Sequence, residues 1–114
     1  MQKKILIVDD EQNLVDFVKL RLEANNYQVV CAADGEEAFK VFAKEKPDLL
    51  LLDILMPKVD GFKVCQALKK DPSSANIPII MLTAKDRRDD IKKARESGAD
   101  AYIIKPFDAS TLLL

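Results

Sequence analysis

Short runs of apolar residues alternate along the chain with longer stretches in which apolar residues recur every three or four positions. The runs predict strands, and the second spacing predicts amphipathic helices. Five strands are predicted in this way, at 5–8, 27–33, 49–52, 78–82 and 101–104. Helices are predicted between and after them, over 11–24, from Asp34 to about Glu45, from Asp60 through Leu68, from Asp86 to a stop at Gly98, and from Asp108 onward.

This strand–helix alternation, repeated five times, favours a parallel sheet with helices on both faces. The strands at 5–8, 49–52 and 78–82 are almost wholly apolar, as strands covered on both faces are. The run at 27–33 is more polar at its start and is predicted to be an edge strand. No internal repeat or linker interrupts the pattern. The predicted fold class is therefore α/β and doubly wound, with residues 1–114 forming a single domain.

Composition and charge narrow the classes of function. A chain of 114 residues, 48% of them hydrophobic, can build one core without a disulfide or metal. Its 18 Lys and Arg residues nearly balance its 19 Asp and Glu residues, which argues against nucleic acid or a membrane surface as a partner. The sequence contains no histidine, which excludes histidine-ligated metals, Ser-His-Asp hydrolysis and a role as a phosphohistidine donor.

Cysteine usage and the amino terminus predict a cellular compartment. Cys31 and Cys65 form no Cys-x-x-Cys pair, so we interpret both as buried thiols in a reducing environment. The apolar run at 5–8 is too short for a signal peptide, and no other run is long enough to span a bilayer. The sequence is therefore interpreted as a soluble cytoplasmic domain.

Polar side chains fall where the predicted strands end. Asp9 and Asp10 follow the first strand, and Asp53, Thr83 and Lys105 follow the third, fourth and fifth. Because the carboxyl ends of parallel strands share one edge of a sheet, and ligands bind there, these side chains are expected to converge. Three carboxylates so close together would repel one another without a cation. Oxygen ligands and a phosphate partner favour Mg²⁺, and an aspartate in such a site can act as a nucleophile in phosphoryl transfer.

Each of these residues also has a structural interpretation. Asp9 or Asp10 can cap the first helix, Asp53 can cap a turn, and Thr83 can cap the fourth helix. Lys105 can belong to an ordinary exposed turn. Taken together, however, their shared position at strand ends favours a common site.

The chain resembles the receiver domain of bacterial two-component response regulators, including chemotaxis regulators. The resemblance covers nearly the whole chain, in the family's order and spacing. It is carried by Ile5-Leu6-Ile7-Val8-Asp9-Asp10-Glu11, Asp53-Ile54-Leu55-Met56-Pro57 with Asp60-Gly61, Leu82-Thr83-Ala84, Gly98-Ala99-Asp100 and Lys105-Pro106-Phe107. It implies a flavodoxin-like strand order, 2-1-3-4-5.

The resemblance also implies a role for each site residue. Asp53 is the expected phospho-acceptor. Mg²⁺, for which Mn²⁺ can substitute, is expected on Asp10, Asp53 and the backbone carbonyl of Leu55, with Asp9 acting mostly through metal-bound water. The phosphoryl-binding and switch residues are expected to be Thr83, Ala84, Lys105 and Tyr102, with a cis peptide bond between Lys105 and Pro106. Tyr102 has an alternative as a half-buried strand aromatic.

The implied partner is a histidine kinase or histidine phosphotransfer protein, from whose phosphohistidine the domain takes the phosphoryl group. The domain is then a signalling switch that catalyses its own modification, not a conventional enzyme. Its output domain or target stays open, as does dimerisation, and neither nucleic acid nor membrane is expected to bind it. Leu55 cannot position water as polar residues do there in fast-cycling relatives, and Lys85 is basic, so slow autodephosphorylation is expected.

The final predicted helix is short. After Asp108 there is room for fewer than two helical turns, so a truncated final helix is expected, from an excised or shortened chain.

A Mg²⁺-dependent phosphohydrolase is an alternative function. It would use Asp9 as nucleophile, but the usual Asp-x-Asp spacing is absent. A receiver-like domain that binds partners without phosphorylation is a third alternative. A flavin-binding module is disfavoured because Asp9-Asp10-Glu11 would repel the flavin phosphate.

Overall fold

The computed structural model describes residues 3–53, 61–84, 92–93 and 95–105, apart from the side chains of 83, 84, 104 and 105. The strands are β1 (Lys4–Val8), β2 (Gln28–Ala32), β3 (Leu49–Asp53), β4 (Ile79–Ala84) and β5 (Ala101–Lys105). The helices with defined bounds are α1 (Gln12–Ala24), α2 (Gly35–Glu45) and α3 (Gly61–Lys70). Residues 92–93 and 95–96, here called the 92–96 segment, are also helical.

The strands form one parallel sheet in the order β2-β1-β3-β4-β5. Helices cover both of its faces. The buried side of α1 packs with one set of alternating strand residues, and α2 and α3 pack with the other set. The predicted doubly wound fold and its strand order are confirmed, and β2 is an edge strand as expected.

The innermost strands explain this layering. Leu6, Leu50 and Leu52 face α2 and α3, whereas Ile7 and Leu51 face α1, and all five are at most 2% exposed. Burying one such side chain contributes about 1.5–3 kcal/mol. The apolar runs therefore belong to a sheet that is covered on both faces, and they hold its polar strand ends in fixed positions.

Local signals set the helix ends. Asp34 caps α2, because its side chain accepts a hydrogen bond of 2.8 Å from the backbone N–H of Glu37. Gly98 has a φ of +96°, which glycine adopts most easily, as its predicted position at a helix stop requires. The starts predicted at Asp60, Asp86 and Asp108, and the truncated final helix, lie outside the described residues.

Several predicted details were wrong. Thr83 lies within β4 rather than after it, because β4 continues to pair with β5 through Thr83–Ile104 and Ala84–Lys105. Asp53 and Lys105 are likewise the last residues of their strands. Cys31 is half-buried instead of buried, since β2 is at the sheet edge.

Candidate functional site

The backbone holds Asp9 at the end of β1. Its N–H donates to the carbonyl of Ala32 at 3.1 Å, which extends the β1–β2 ladder by one residue. Its Oδ1 accepts a 2.9 Å hydrogen bond from the N–H of Glu11. The side chain is only 3% exposed. Asp9 does not cap α1, whose N-cap residue is Glu11 and has no side-chain cap bond, so this alternative interpretation of Asp9 was wrong.

Asp53 reaches the same end of the sheet from β3. Val8 pairs with Leu52, so the next residue on each strand, Asp9 and Asp53, lies beyond that pair. On its other side Asp53 pairs with Leu82 of β4. Its side chain is 7% exposed. The parallel register between the two central strands is therefore what brings residues 44 positions apart in the chain to one place.

Asp10 completes a cluster of three acids. One carboxylate oxygen from each of Asp9, Asp10 and Asp53 lies within 4.8 Å of the other two. Asp10 is exposed, whereas the other two are buried. Like charges at such distances disfavour one another, and more so where water is partly excluded. The cluster is thus an arrangement that a cation would stabilise.

These oxygens are close enough together to share one hard divalent cation. Around an octahedral Mg²⁺ with bonds of about 2.1 Å, ligand oxygens are about 3 Å apart when adjacent and about 4.2 Å apart when opposite. The three carboxylate oxygens lie within 4.8 Å of one another, close enough to share a cation directly or through its bound water. The donors are few and all are carboxylates, which suits Mg²⁺ because it retains several waters, whereas Ca²⁺ takes six to eight oxygen ligands.

The backbone positions of other predicted site residues lie at the same edge. Ala84 and Lys105 are paired at the carboxyl ends of β4 and β5, and Thr83 follows the residue that pairs with Asp53. The register thus brings β4 and β5 to the edge that carries the acids. The side chains of Thr83, Ala84 and Lys105 lie outside the described part, as do Leu55, Pro106 and the Lys105–Pro106 peptide bond.

Tyr102 lies further from this edge than the other predicted residues. It pairs with Met81 in the sheet, three residues before Lys105. Its ring is partly buried against the core on the α2 and α3 face, with the guanidinium carbon of Arg95 6.0 Å from the ring centroid. In this structure Tyr102 is thus a half-buried strand aromatic.

A small cavity of about 120 Å³ beside Asp9 was not predicted from the sequence. Gln12, Cys31 and Glu37 are among its lining residues. Burial is the main cause that raises the pKa of the Cys31 thiol. From the sequence, Glu37 was assigned only to the start of α2. No local pattern relates it to Asp9, because the pairing of β1 with β2 is what brings the two residues close together.

Comparison with known proteins identifies the family. The family described as "Response regulator receiver domain" matches residues 5–114. The chain belongs to this family, which confirms the resemblance seen in the sequence. The alkaline phosphatase synthesis transcriptional regulatory protein PhoP of Bacillus subtilis is 49% identical over 107 residues, covering 94% of this chain and 44% of that protein. The DNA-binding dual master transcriptional regulator RpaA of Synechocystis is 44% identical, covering 96% of this chain and 46% of that protein.

Solved structures agree with this assignment. A putative response regulator from Chloroflexus aurantiacus matches with a TM-score of 0.95 and 35% identity, covering 99% of this chain and 93% of that one. A chemotaxis response regulator of Vibrio cholerae matches with a TM-score of 0.92 and 32% identity, covering 99% and 94%. The chain spans less than half the length of the two curated regulators it matches. Among the described residues, no helix has the length and apolar character needed to cross a membrane.

Proposed function

We propose that this chain is a phosphorylation-activated switch in which Asp53 accepts a phosphoryl group from the phosphohistidine of a histidine kinase or histidine phosphotransfer protein. The main support is the cluster at the carboxyl end of the sheet, where carboxylate oxygens of Asp9, Asp10 and Asp53 lie within 4.8 Å. Asp53 ends β3 between β1 and β4, so the neighbouring strands can supply groups on both sides of it. Family membership supports a histidine kinase as the donor.

The transfer needs only Asp53 as a nucleophile. One of its carboxylate oxygens attacks the phosphorus in line with the histidine nitrogen. An O–P bond forms, the P–N bond breaks, and the imidazole leaves with the electron pair of the broken bond. The product is an acyl phosphate on Asp53. The receiver therefore takes part in its own modification and subsequent slow hydrolysis, and does not turn over a separate substrate.

The surrounding groups would stabilise the transferring charge. Asp10, Asp53 and the carbonyl of Leu55 would hold Mg²⁺ or Mn²⁺, with Asp9 acting through water. When bound, such a cation offsets the negative charge of the carboxylates and the phosphoryl oxygens. Lys105 would hold one phosphoryl oxygen, aimed by a cis bond to Pro106, and Thr83 with the N–H of Ala84 would hold another.

Phosphorylation would then act through charge. A phosphoryl group adds negative charge and strong acceptor oxygens at the end of β3, where Asp53 pairs with Leu82 of β4. Movement of Thr83 toward these oxygens, followed by Tyr102, would shift β4, β5 and the 92–96 segment between two pre-existing states. We further propose that residues 1–114 act as one receiver domain in the cytoplasm, with the output lying in another domain or protein.

The test is phosphorylation by acetyl phosphate with Mg²⁺, followed by intact mass and peptide mapping. The wild type is expected to gain one phosphoryl group on Asp53, and Asp53→Asn is expected to gain none. Asp16→Asn, which removes an exposed carboxylate on α1, is the matched control and should label as the wild type does.

Two outcomes would overturn the proposal. Phosphate trapped on Asp9, with turnover of an organic phosphate ester, would indicate a phosphohydrolase. No labelling of the wild type by acetyl phosphate or by a phosphorylated histidine phosphotransfer protein would indicate a domain that binds partners without phosphorylation.

A further inference from the structure

The distribution of charge differs sharply between the helices. α3 carries three lysines and no acid. The 92–96 segment adds Lys92, Lys93 and Arg95 against a single acid, Glu96. The formal charge of the whole chain is nevertheless −1. Positive charge is therefore concentrated on these two elements.

These two elements lie side by side. The ammonium nitrogen of Lys93 is 5.9 Å from the centroid of the Phe62 ring at the start of α3. Further along, Cys65 Sγ donates to the carbonyl of Ser97 at 3.6 Å. Near the end of α3, Gly98 lies against Lys69, whose Cγ is 3.2 Å from the position a Cβ would occupy. The two elements are therefore neighbours, and their exposed cations are here together called the basic face: Lys63, Lys70, Lys92, Lys93 and Arg95.

The five cations of the basic face are all exposed. In the part of the chain that the structure describes, none of them forms a salt bridge, whereas Lys69 is paired with Asp100 at 2.7 Å. Lys93 and Arg95 lie over aromatic rings, which holds their charged groups without neutralising them. The face thus carries five positive charges against one acid, Glu96, which follows Lys92 by four residues.

On α1 and α2, in contrast, lysines lie close to acids of the same helix. On α1, Lys19 lies three or four residues from acids on either side, at Asp16 and Glu23. On α2, Lys40 follows Glu36 by four residues. Neighbours at these spacings face each other on a helix and offset one another's charge. The charge of α3 has no such internal compensation.

We propose that the basic face is a docking surface for an acidic helix of a partner protein. Lys63 and Lys70 are seven residues apart, so they lie on the same side of α3, separated by about 10.5 Å along its axis. A helix with acidic residues at i and i+7 presents carboxylates at the same separation. Lys93 lies at the Phe62 end of α3, so a further acid of that helix would meet it next to the carboxylate that faces Lys63.

The same observations disfavour nucleic acid and membrane. Tight binding to a duplex or an anionic bilayer needs many contacts and an excess of positive charge over the wider surface. Here the face has only five cations, and the neighbouring helix α2 carries Glu36, Glu37 and Glu45. So small a set of cations is matched better by one acidic helix. This inference does not depend on phosphorylation of Asp53 and is tested on the unphosphorylated chain.

The probe is a synthetic helical peptide with glutamate at i, i+4 and i+7 of one face, titrated into isotopically labelled protein. Amide shifts are expected on α3 and the 92–96 segment. The double variant Lys63→Glu/Lys70→Glu should weaken binding at least about tenfold, because like charges would then face each other. The matched variant Lys19→Glu/Arg21→Glu, with the same change of charge on α1, should weaken it less than about twofold.

Three results would overturn the inference. Shifts spread over all cationic helices, or equal loss in both double variants, would show a non-specific response to charge. A peptide of the same composition with scrambled glutamates that binds equally well would exclude helical matching. A DNA duplex or phosphatidylserine vesicle that binds the same face more tightly than the peptide would assign it to another class of ligand.

Discussion

Charged side chains are arranged in opposite ways at the two ends of the β-sheet. At the carboxyl end, Asp9, Asp10 and Asp53 place like charges within 4.8 Å of one another. At the amino end, opposite charges are paired: Lys4 Nζ lies 3.3 Å from Glu45, and Lys69 Nζ lies 2.7 Å from Asp100. Clustered like charges oppose folding and persist in proteins mainly where function requires them. The difference therefore indicates that the charged groups at the carboxyl end serve function, whereas those at the amino end stabilise the fold.

The amino end is stabilised by groups with several partners each. Lys69 Nζ donates to the carbonyls of Ala75 and Ile77 as well as to Asp100. Asp100 Oδ2 also accepts the N–H of Ile79 at 2.8 Å. One lysine of α3 therefore joins the loop before β4 to the turn before β5. These two strands carry Thr83 and Lys105 at their opposite ends.

The largest effect is expected for Lys69→Met, which keeps the aliphatic stem but removes the ammonium. It removes the lysine donor from two carbonyls and from the Asp100 carboxylate, which keeps the N–H of Ile79, so the free energy of unfolding should fall by about 2 kcal/mol. Lys70→Met, an exposed neighbour, should change it by less than about 0.5 kcal/mol. Urea denaturation with an unchanged m-value measures both. Equal effects in the two variants would contradict the structural role of the amino end.

A smaller effect of opposite sign is expected for the acids. Without divalent cations, Asp53→Asn should raise the free energy of unfolding by about 1 kcal/mol, because it removes one of three like charges. Asp48→Asn at the amino end should lower it, since that carboxylate accepts the N–H of Lys4 at 2.8 Å. Urea denaturation in a chelating buffer compares the two. The same sign for both substitutions would remove the distinction between the ends.

The smallest effect is expected in the dependence of the free energy of unfolding on acidic pH. Burial would raise the pKa of the Asp100 carboxyl, but the hydrogen bonds from Lys69 and from the N–H of Ile79 outweigh it and hold the pKa below its ordinary value. A lowered folded-state pKa contributes stability above the ordinary value, near 4, and that contribution disappears as the pH falls through the lowered value. The stability difference between wild type and Asp100→Asn should therefore be constant from about pH 7 to pH 5 and shrink below about pH 4. Unfolding curves across this range test it, and a difference that grows toward acid would refute it.

Local patterns were enough to predict the strands, and with them the edge where the acids meet. Asp34 and Gly98 could be assigned because a cap and a helix stop depend on neighbours within a few residues. The same reasoning could not place Thr83 within β4, since its strand partner, Ile104, is 21 residues away. Nor could it find the bond between Lys69 and Asp100, because no periodicity relates a helix end to a distant turn. The basic composition of α3 was visible in the sequence, but its contact with the 92–96 segment was not.

The two thiols lie on opposite sides of the sheet. Cys65 belongs to the core beneath α3, whereas Cys31 packs on the α1 side and lines the cavity next to Asp9. The intervening layer of strands keeps them from joining within one molecule, so oxidation can crosslink only separate molecules, and through Cys31. Cys31 is also the more accessible of the two, so a fluorophore attached there would report on events beside the acids without an engineered cysteine.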